Sequence, residues 1–500
     1  MAKSILRSSL CVALLVIATA HRADAVARFD TAEVVLAAAT SYNGSTGTPN
    51  PFSDVDLTAR VVSPSGRVYT AFGFYDGDGA GGQNGNVFKI RIYLDEVGTW
   101  RWTSTSNVAS LHAKSGTVSC SGVLTGAFGK GPVVENPARS RSFMYQYGEP
   151  VYLIGKFLDV AAPSPIKYSH TMFSEKLTDT NRQAMLTRHT GMGLNKINVY
   201  LANKGDYSSV STTPWLGTAS SNDKKRFDLR RWKMFETWVL KMRASGVTAQ
   251  LWFFADDSSF GNLSDADRQL LVEYGMARLS GYVNTMFTLV LEWQEGWTTS
   301  EVGHHMNILQ WNNSWARMAT VHGTTGNFSF PNAAWADFMA TQSGNSADHG
   351  KVHSHGLAHR SLSSKPLIQE EFGLGNEDTI HRQRAWAAFT SGSAGSGTGA
   401  FLKHLATFTR LVDFELMDPS QALVLSGSAY ALAQKGVAYV FYLPNGGTAK
   451  VDLRGSTGTF TAQWYDPRTG AFKAAPAAAG GTTPSYTVPA SGDWVLLLRK

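Results

Sequence analysis

The hydrophobic and polar positions divide the chain into three parts. Between residues 26 and 140, short runs that alternate apolar and polar residues, such as 87–93, are separated by clusters of Gly, Asp, Asn and Ser. This alternation predicts β-strands, and turn residues at this density are typical of a β-sandwich. Residues 421–500 return to the same pattern, with an apolar run at 437–443 before the turn at 444–447. A second, smaller β-sandwich is therefore predicted there.

Residues 141–420 show a different pattern, in which apolar strands alternate with amphipathic helices. Apolar runs of strand length lie at residues 151–154, 195–200, 247–254, 287–291 and 366–368. The clearest helix covers residues 229–245, because apolar side chains recur there at helical spacing before Gly246. This repeat predicts a (β/α)8 TIM barrel at the centre of a multidomain protein. A doubly wound sheet is the alternative, but no glycine-rich phosphate loop follows the first strand.

The first 25 residues have the pattern of a secretory signal peptide. Lys3 and Arg7 precede an apolar run at residues 10–20, and Ala23 and Ala25 are the small residues that a signal peptidase reads. The apolar run is too short to span a bilayer, and no later segment reaches the roughly 18 apolar residues that a spanning helix needs. We therefore expect a secreted protein, extracellular or periplasmic, without a membrane span.

Composition narrows the class of protein further. Hydrophobic residues make up 43% of the chain and charged residues 17%, which excludes intrinsic disorder. The net charge is +7, and no stretch concentrates Lys and Arg, so no nucleic-acid partner is expected. Removal of residues 1–25 leaves Cys120 as the single cysteine, which excludes an intrachain disulfide. A monomer or small homo-oligomer is expected.

Two predicted barrel strands run directly into carboxylates. The strand at 287–291 is followed by Glu292, Gln294 and Glu295, and the strand after Pro366 by Glu370 and Glu371. Active sites of TIM barrels lie at the carboxyl ends of the strands. Two carboxylates that face each other there can cleave a glycosidic bond, one as proton donor and the other as nucleophile or base. The pattern therefore predicts a glycosidase that acts on a carbohydrate.

These motifs resemble the retaining glycoside hydrolases of the TIM-barrel clan typified by cellulases and β-galactosidases. In that clan the nucleophile ends the seventh strand in a Pro-apolar-apolar-x-Glu-aromatic-Gly setting, which residues 366–373 resemble with Glu371 as the nucleophile and Glu370 as an extra residue before it. The acid/base Glu ends the fourth strand, usually after Asn, and Gln294 with Glu295 stands at that place. The resemblance therefore implies Glu295 as acid/base and Glu371 as nucleophile. Glu292 stays open as the competitor, since a regular strand cannot point both residues inward.

The resemblance extends to both flanking domains. Residues 50–55, 73–77 and 96–100 resemble the β-sandwich that precedes such barrels in secreted bacterial proteins. The barrel is similar to the apiosidase-like hydrolases, which carry a Gly-Glu-Pro motif near their start, as at 148–150 here. The tail, with its Trp-Tyr-Asp-Pro-Arg-Thr-Gly segment at 464–470, resembles a small module labelled collagen-binding.

Other polar and aromatic residues follow the remaining strands. In such a site the polar ones would bind sugar hydroxyls, and the Trp residues would either stack on sugar rings or pack in the core. The candidates are Asn198, Tyr200, Trp252, Asp256, Asp257, Glu292, Gln294, Trp297, His322 and Gln342.

Neither a metal nor another cofactor is expected. Asp256 and Asp257 have no third ligand at a telling spacing, and the histidines at 353–359 are better explained as a helical, solvent-facing segment before the seventh strand. Two other function classes stay open. One is a non-catalytic carbohydrate-binding or cell-surface protein with a degenerate barrel, and the other is a polysaccharide lyase.

Overall fold

The protein is represented by a computed structural model, which describes residues 25–156, 178–202, 213–218, 221–255, 263–344, 346–372, 379–397 and 402–500. The predicted signal peptide falls outside these residues, apart from Ala25. Three parts follow one another along the described chain: a strand-rich N-terminal domain, a central sheet of parallel strands with helices, and a C-terminal β domain.

The N-terminal domain is built on one seven-stranded sheet, in the order β1-β7-β6-β3-β4-β5-β2. The alternation in its sequence buries every second side chain; in β2, for example, Val34 and Leu36 are buried and Val35 is exposed. A small three-stranded sheet, β8 to β10, connects it to the central domain. The strands are β1 (Val26–Arg28), β2 (Thr31–Tyr42), β3 (Leu57–Val62), β4 (Val68–Tyr75), β5 (Gly85–Tyr93), β6 (Gly98–Ser106), β7 (Ser115–Val123), β8 (Val133–Glu135), β9 (Phe143–Tyr145) and β10 (Pro150–Val151).

The central domain contains an eight-stranded parallel sheet. Its strands, from first to eighth, are β11 (Leu153–Lys156), β12 (Lys196–Ala202), β15 (Thr248–Phe254), β16 (Thr285–Val290), β17 (Ala319–Thr320), β18 (Met339–Gln342), β19 (Leu367–Glu371) and β20 (Gly395–Ser396). The sheet order is β17-β16-β15-β12-β11-β20-β19-β18, so neighbours in space are neighbours in sequence. An isolated parallel bridge between His322 and Ala340 joins the two outer strands. The sheet therefore forms a near-barrel.

Helices separate most of these strands. They are α1 (Asp179–Gly191), α2 (Leu229–Ala244), α3 (Asp265–Leu279), α4 (Thr299–Trp311), α5 (His349–Leu362), α6 (Thr379–Thr390) and α7 (Lys403–Phe408); a hairpin, β13 (Trp215–Gly217) and β14 (Asn222–Phe227), precedes α2. The predicted helix at 229–245 is confirmed as α2. It begins where the Asp228 side chain accepts the Arg231 N–H, and it ends before Gly246, whose φ is +73°.

The C-terminal domain consists of two antiparallel sheets around one apolar core. A six-stranded sheet, β21-β23-β24-β29-β26-β27, packs on a three-stranded sheet, β22-β25-β28. The strands are β21 (Asp418–Pro419), β22 (Val424–Ser426), β23 (Tyr430–Gln434), β24 (Ala438–Leu443), β25 (Thr448–Val451), β26 (Thr459–Tyr465), β27 (Phe472–Ala479), β28 (Ser485–Thr487) and β29 (Trp494–Arg499).

A buried cluster of charges ties the N-terminal domain to the near-barrel. Glu236 of α2 accepts two hydrogen bonds from Arg278 of α3, at 2.6 and 3.0 Å, and two from Arg91 of β5, at 2.6 and 2.9 Å. Arg278 also pairs with Asp76 at 2.8 Å, and Lys89 reaches the other oxygen of Asp76 at 2.8 Å. The guanidinium and carboxylate groups satisfy one another's charge and hydrogen bonding. Together they form a buried polar network between the two domains.

Aromatic packing continues the same interface. The Tyr274 ring of α3 stacks on Phe227 with centroids 4.2 Å apart, and Phe52 of the N-terminal domain lies edge-on to both rings. The Tyr274 hydroxyl donates to the Tyr75 carbonyl at 2.9 Å. Buried residues of the N-terminal domain and the near-barrel accordingly belong to one continuous apolar cluster.

The C-terminal domain is held on helices α5 and α6. Arg382 of α6 forms a buried pair with Asp493 through contacts of 3.0 and 2.7 Å. The His353 ring of α5 stacks on Tyr430 at 4.0 Å, and His349 Nδ1 lies 2.7 Å from the Tyr430 hydroxyl. The histidine run is thus helical as predicted, but the expectation that it faces solvent is wrong, because His353 and His359 are buried and His353 packs on the C-terminal domain. None of the helices in the described ranges is long and apolar enough to cross a bilayer.

Candidate active site

Five of the predicted site residues lie at or near the carboxyl end of the near-barrel. Parallel strands bring their carboxyl ends to the same end of a sheet. Glu292 follows β16, His322 follows β17, and Gln342 and Glu371 are the last residues of β18 and β19. Tyr200 lies near the end of β12. We refer to this end of the near-barrel as the mouth.

Glu292 is tied across the mouth to the sixth strand. Its carboxylate accepts a short hydrogen bond from the Gln342 side-chain amide, and the side chain is half-buried. The Glu292 backbone lies in the left-handed region, with φ 44° and ψ 50°. A residue with a Cβ adopts that conformation at a cost, and such strain is concentrated at functional sites. The strained residue ends the regular strand and fixes where the carboxylate points.

A β-bulge at Glu370 decides the direction of Glu371. Along β18 and β19, Thr341 pairs with Gln369, but the next residue, Gln342, pairs with Glu371. Glu370 is therefore an extra residue, and its side chain points into the near-barrel. Paired residues of neighbouring strands share a face of the sheet. Glu371 consequently faces the same side as Gln342, whose side chain reaches Glu292.

Glu295 occupies a different place. It is the last residue of a 3₁₀ turn, Trp293–Glu295, and is exposed at the rim of the mouth. The neighbouring Gln294 side chain accepts the Thr324 N–H at 2.9 Å, which ties the turn to the loop after the fifth strand. The Gln294 side chain is thus engaged in a hydrogen bond that holds the loop after the fifth strand. The half-buried carboxylate next to the fourth strand belongs to Glu292.

Below the mouth lies a group of polar side chains, of which the sequence had pointed only to Asn198 and Glu370. The Lys196 ammonium donates to Asn198 Oδ1 at 2.6 Å, to Gln250 Oε1 at 2.6 Å and to Glu370 Oε1 at 3.0 Å. The Gln250 amide donates onward to Thr288 at 2.9 Å. We call these five residues the interior polar cluster. All are buried. Burial lowers the pKa of Lys196, and the negative charge of Glu370 opposes that shift.

The alternation of β12 was the signal that could have revealed this cluster. Lys196 and Asn198 are polar at alternate positions of a strand that is otherwise apolar, and Gln250 interrupts the neighbouring strand in the same way. Side chains two residues apart point to one face. Such polar residues inside a parallel strand have to meet one another in the interior, since an unpaired buried polar group is costly.

An aromatic group lies beside the interior polar cluster. The Trp252 ring packs against Tyr200, with centroids 5.8 Å apart, and against His322, at 5.2 Å. Trp252 and His322 are fully buried. Burial and the positive charge of Lys196 lower the pKa of His322 to about 3, so the imidazole is neutral at ordinary pH. Neither of its ring nitrogens has a hydrogen-bond partner among the described residues.

Trp297 lies in the outer layer of the domain. Its ring packs between the Arg268 guanidinium, 4.1 Å from the ring centroid, and the rings of Phe254 and His305. It is 6% exposed. Of the two roles open to the Trp residues, the surroundings of Trp297 correspond to core packing. Trp252, which contacts Tyr200 and His322 next to the mouth, stays a predicted site residue.

Two predicted site residues, Asp256 and Asp257, lie outside the described residues. Within the ranges that the structure describes, no three His, Cys, Asp or Glu side chains come together in a way that could hold a metal ion.

Two segments of the chain match protein families. Residues 25–107 match a family described as "Domain of unknown function (DUF5060)", and residues 419–499 match one described as "Putative collagen-binding domain of a collagenase". The first segment lies in the strand-rich N-terminal domain, and the second coincides with the C-terminal β domain. No curated protein matches the sequence.

Several solved structures share the fold. The chain aligns over 95% of its length, and over 100% of the other chain, with "a putative glycoside hydrolase from Bacteroides vulgatus ATCC 8482", at a TM-score of 0.76 and 17% identity. A glycoside hydrolase family 5 structure from the same organism gives a TM-score of 0.62 at 14% identity, with 75% of this chain and 94% of that chain covered. A third structure, described as "Glycoside hydrolase", gives 0.60 at 16% identity, with 75% and 98% covered. The likeness shows that this chain shares the fold of these structures, and these neighbours fit a TIM barrel for the central domain.

Proposed function

We propose that the protein is a glycoside hydrolase with a (β/α)8 TIM barrel, which cleaves a polysaccharide or oligosaccharide with retention of configuration. One observation carries the proposal. The hydrogen bond from Gln342 to Glu292, together with the pairing of Gln342 with Glu371, brings carboxylates of the fourth and seventh strands to the same side of the mouth. A pair of carboxylates at this place is the minimum that glycosidic cleavage requires.

In the proposed reaction Glu371 is the nucleophile. Its carboxylate attacks the anomeric carbon while the acid/base residue protonates the departing glycosidic oxygen, which leaves a covalent glycosyl-enzyme. The same acid/base residue then removes a proton from water, and the resulting attack releases the sugar and restores Glu371. Retention requires the two carboxyl groups to lie about 5–5.5 Å apart when substrate is bound.

We assign the acid/base role to Glu292, where the sequence alone favoured Glu295. An acid/base residue needs a fixed position and a partly buried carboxyl, and Glu292 has both through its strained backbone and its bond to Gln342. Glu295, exposed in the 3₁₀ turn, is assigned no step.

The surrounding residues support sugar chemistry in a second way. The pKa of His322, lowered to about 3, makes its imidazole a weak base, and Lys196 has all three ammonium protons directed to oxygens of the interior polar cluster. The side of the mouth that faces Glu292 and Glu371 is therefore free of a second strong base from these two residues. A lyase mechanism, which depends on proton abstraction by a base beside the cleaved bond, gains no support from them.

The function is tested by incubating the purified protein with a panel of plant and bacterial polysaccharides. Reducing ends and product masses are measured, and the anomeric configuration of fresh product is read by NMR. We expect hydrolysis products with retained configuration from at least one glycan. Products of inverted configuration would contradict the mechanism, an unsaturated product would indicate the lyase, and binding without cleavage would indicate the non-catalytic carbohydrate-binding protein.

Replacement of Gln342 tests the bond across the mouth. Gln342→Leu removes the amide that donates to Glu292, and we expect kcat to fall about tenfold or more, since a hydrogen bond to a charged group is worth about 1.5–3 kcal/mol. Loss of a donor that favours the ionised carboxylate raises the pKa of Glu292. The alkaline limb of the pH–rate profile should therefore move to higher pH.

The control for this variant is Thr325→Val. The Thr325 hydroxyl donates to the other end of the same amide at 3.2 Å, so its loss leaves the donor to Glu292 in place. Its alkaline limb should stay close to that of the wild type. An unchanged limb in Gln342→Leu itself would argue against Glu292 as the acid/base.

A further inference from the structure

The interior polar cluster is built around a single buried ammonium group. Lys196 is fully buried, and its side chain runs past Gly155 of the first strand, where an added Cβ would lie 2.6 Å from Lys196 Cε. A charge in such a place costs free energy unless it is paired, and a pair of this kind adds little stability over apolar residues of the same size. The arrangement therefore calls for an explanation other than stability.

The partner of Lys196 is the residue that forms the bulge. Glu370 accepts the Lys196 hydrogen bond at 3.0 Å, and its second oxygen lies 3.5 Å from the Asn198 amide. The next strand leaves room for the bulged backbone at Gly397, where an added Cβ would lie 1.6 Å from the Glu370 carbonyl oxygen. Gly155 thus leaves room for the Lys196 side chain, and Gly397 leaves room for the backbone of Glu370, its partner in the ion pair.

The bulge determines which face Glu371 shares. In a regular strand consecutive side chains point to opposite faces, so a residue after the inward-pointing Glu370 would point outward. Because Glu370 is extra, Glu371 pairs with Gln342 and shares its inward face. A contact that fixes Glu370 inside the near-barrel therefore also fixes the direction of Glu371.

We infer that Lys196 is a positioning residue, which holds the bulge through Glu370 and so aims Glu371 at the mouth. This inference rests on the proposed function for the role of Glu371. It deepens that function by making the interior ion pair a requirement of the reaction. The geometric part, that Lys196 holds the bulge, stands on the contacts alone.

The experiment compares four variants by crystallography, thermal unfolding and steady-state kinetics on a glycan that the wild type hydrolyses. Lys196→Met removes the ammonium, and Lys196→Met/Glu370→Met removes the whole pair and leaves no unpaired charge. Gly397→Ala adds a methyl group that would clash with the bulged backbone at Glu370, and it leaves the Lys196 side chain unchanged. Glu236→Gln is the matched control, since it breaks a buried ion pair in the interface with the N-terminal domain.

In the crystal structure of Lys196→Met we expect the bulge at Glu370 to be lost or Glu371 to be turned from the mouth. kcat should fall about 100-fold with a smaller change in KM, since displacement of a reacting group by about 1 Å costs on that order. The double variant should regain thermal stability but not kcat, and Gly397→Ala should lose kcat as well. The control should lose stability and keep its kcat.

Two results would overturn the inference. One is an unchanged bulge and an unchanged Glu371 in the Lys196→Met structure or, where that variant does not fold, in the double variant. The other is wild-type kcat in the double variant, since stability alone would then explain the pair. Full activity of Glu371→Gln would instead refute the proposed function, and the crystal structures would still decide whether Lys196 holds the bulge.

Discussion

Glu371→Gln is expected to lower kcat by about 10⁴-fold or more while substrate binding is largely kept. The amide has nearly the size of the carboxylate, so the shape of the mouth is preserved, but it cannot form the covalent glycosyl-enzyme. Binding is measured by calorimetry with the glycan identified as substrate, and turnover by the release of reducing ends. Substantial turnover in this variant would exclude Glu371 as nucleophile.

The acid/base assignment is tested by a matched pair of substitutions, Glu292→Gln and Glu295→Gln. Loss of general acid–base catalysis costs about 10²–10⁴-fold, so Glu292→Gln should lose that much on a natural glycoside. It should lose less on an aryl glycoside with a good leaving group, which needs no protonation. Glu295→Gln should stay near wild type. The opposite pattern would return the role to Glu295.

Chemical rescue separates the two roles independently. Added azide should restore turnover of an aryl glycoside in Glu371→Ala by attacking the anomeric carbon directly, which yields a glycosyl azide of inverted configuration. In Glu292→Ala, azide should intercept the glycosyl-enzyme and yield a product of retained configuration. Identical stereochemistry in both variants would contradict the division of roles between the two carboxylates.

The second large effect concerns stability. Glu236→Gln should lower the free energy of unfolding by about 3–5 kcal/mol, because it leaves the guanidinium groups of Arg91 and Arg278 without their shared carboxylate in a buried interface. The measurement is urea unfolding followed by fluorescence. Glu149→Gln, which breaks the exposed contact with Lys130, is the control and should change the stability by about 1 kcal/mol or less.

The loss of unfolding free energy in Glu236→Gln should also depend on pH. Burial opposes ionisation of Glu236, but the charges of Arg278 and Arg91 outweigh it and lower the pKa of Glu236 to about 2. A carboxylate with a depressed folded-state pKa stabilises the native state above its unfolded pKa, and this contribution is lost as pH falls. The difference in unfolding free energy between wild type and Glu236→Gln should therefore be full at pH 6 and shrink progressively between about pH 4.5 and about pH 2. A constant difference across that range would argue against the ion pair as its source.

The order of elements in the central domain followed from the sequence. Apolar runs and turn residues are local signals, so the strands at 247–254 and 287–291 and the helix before Gly246 were placed within a few residues of β15, β16 and α2. The repeat of strand and helix predicted a barrel, and the eight described strands form a near-barrel. The carboxylates at the strand ends were visible for the same reason, since a charge after an apolar strand stands out in the sequence.

The direction of individual side chains could not be predicted in this way. Whether Glu371 faces the mouth depends on one extra residue in the register of β19, and periodicity does not show a bulge. The direction of the Glu292 side chain could not be predicted either, because its left-handed backbone breaks the alternation by which strand residues are assigned to a face. Trp297 and Trp252 are of a residue type that can stack on sugar rings. Their exposure, however, is set by tertiary packing, which a local sequence pattern does not show.

The aromatic and ionic contacts of the N-terminal domain have a practical consequence for protein production. A shortened gene that begins at the near-barrel would expose Phe227, Tyr274 and the buried face of α3, and would leave Arg278 and Glu236 at a new surface. Such a fragment would carry an apolar patch of the kind that drives aggregation. The unit that can be expressed and crystallised as a folded protein is therefore larger than the domain that holds the carboxylates of the mouth.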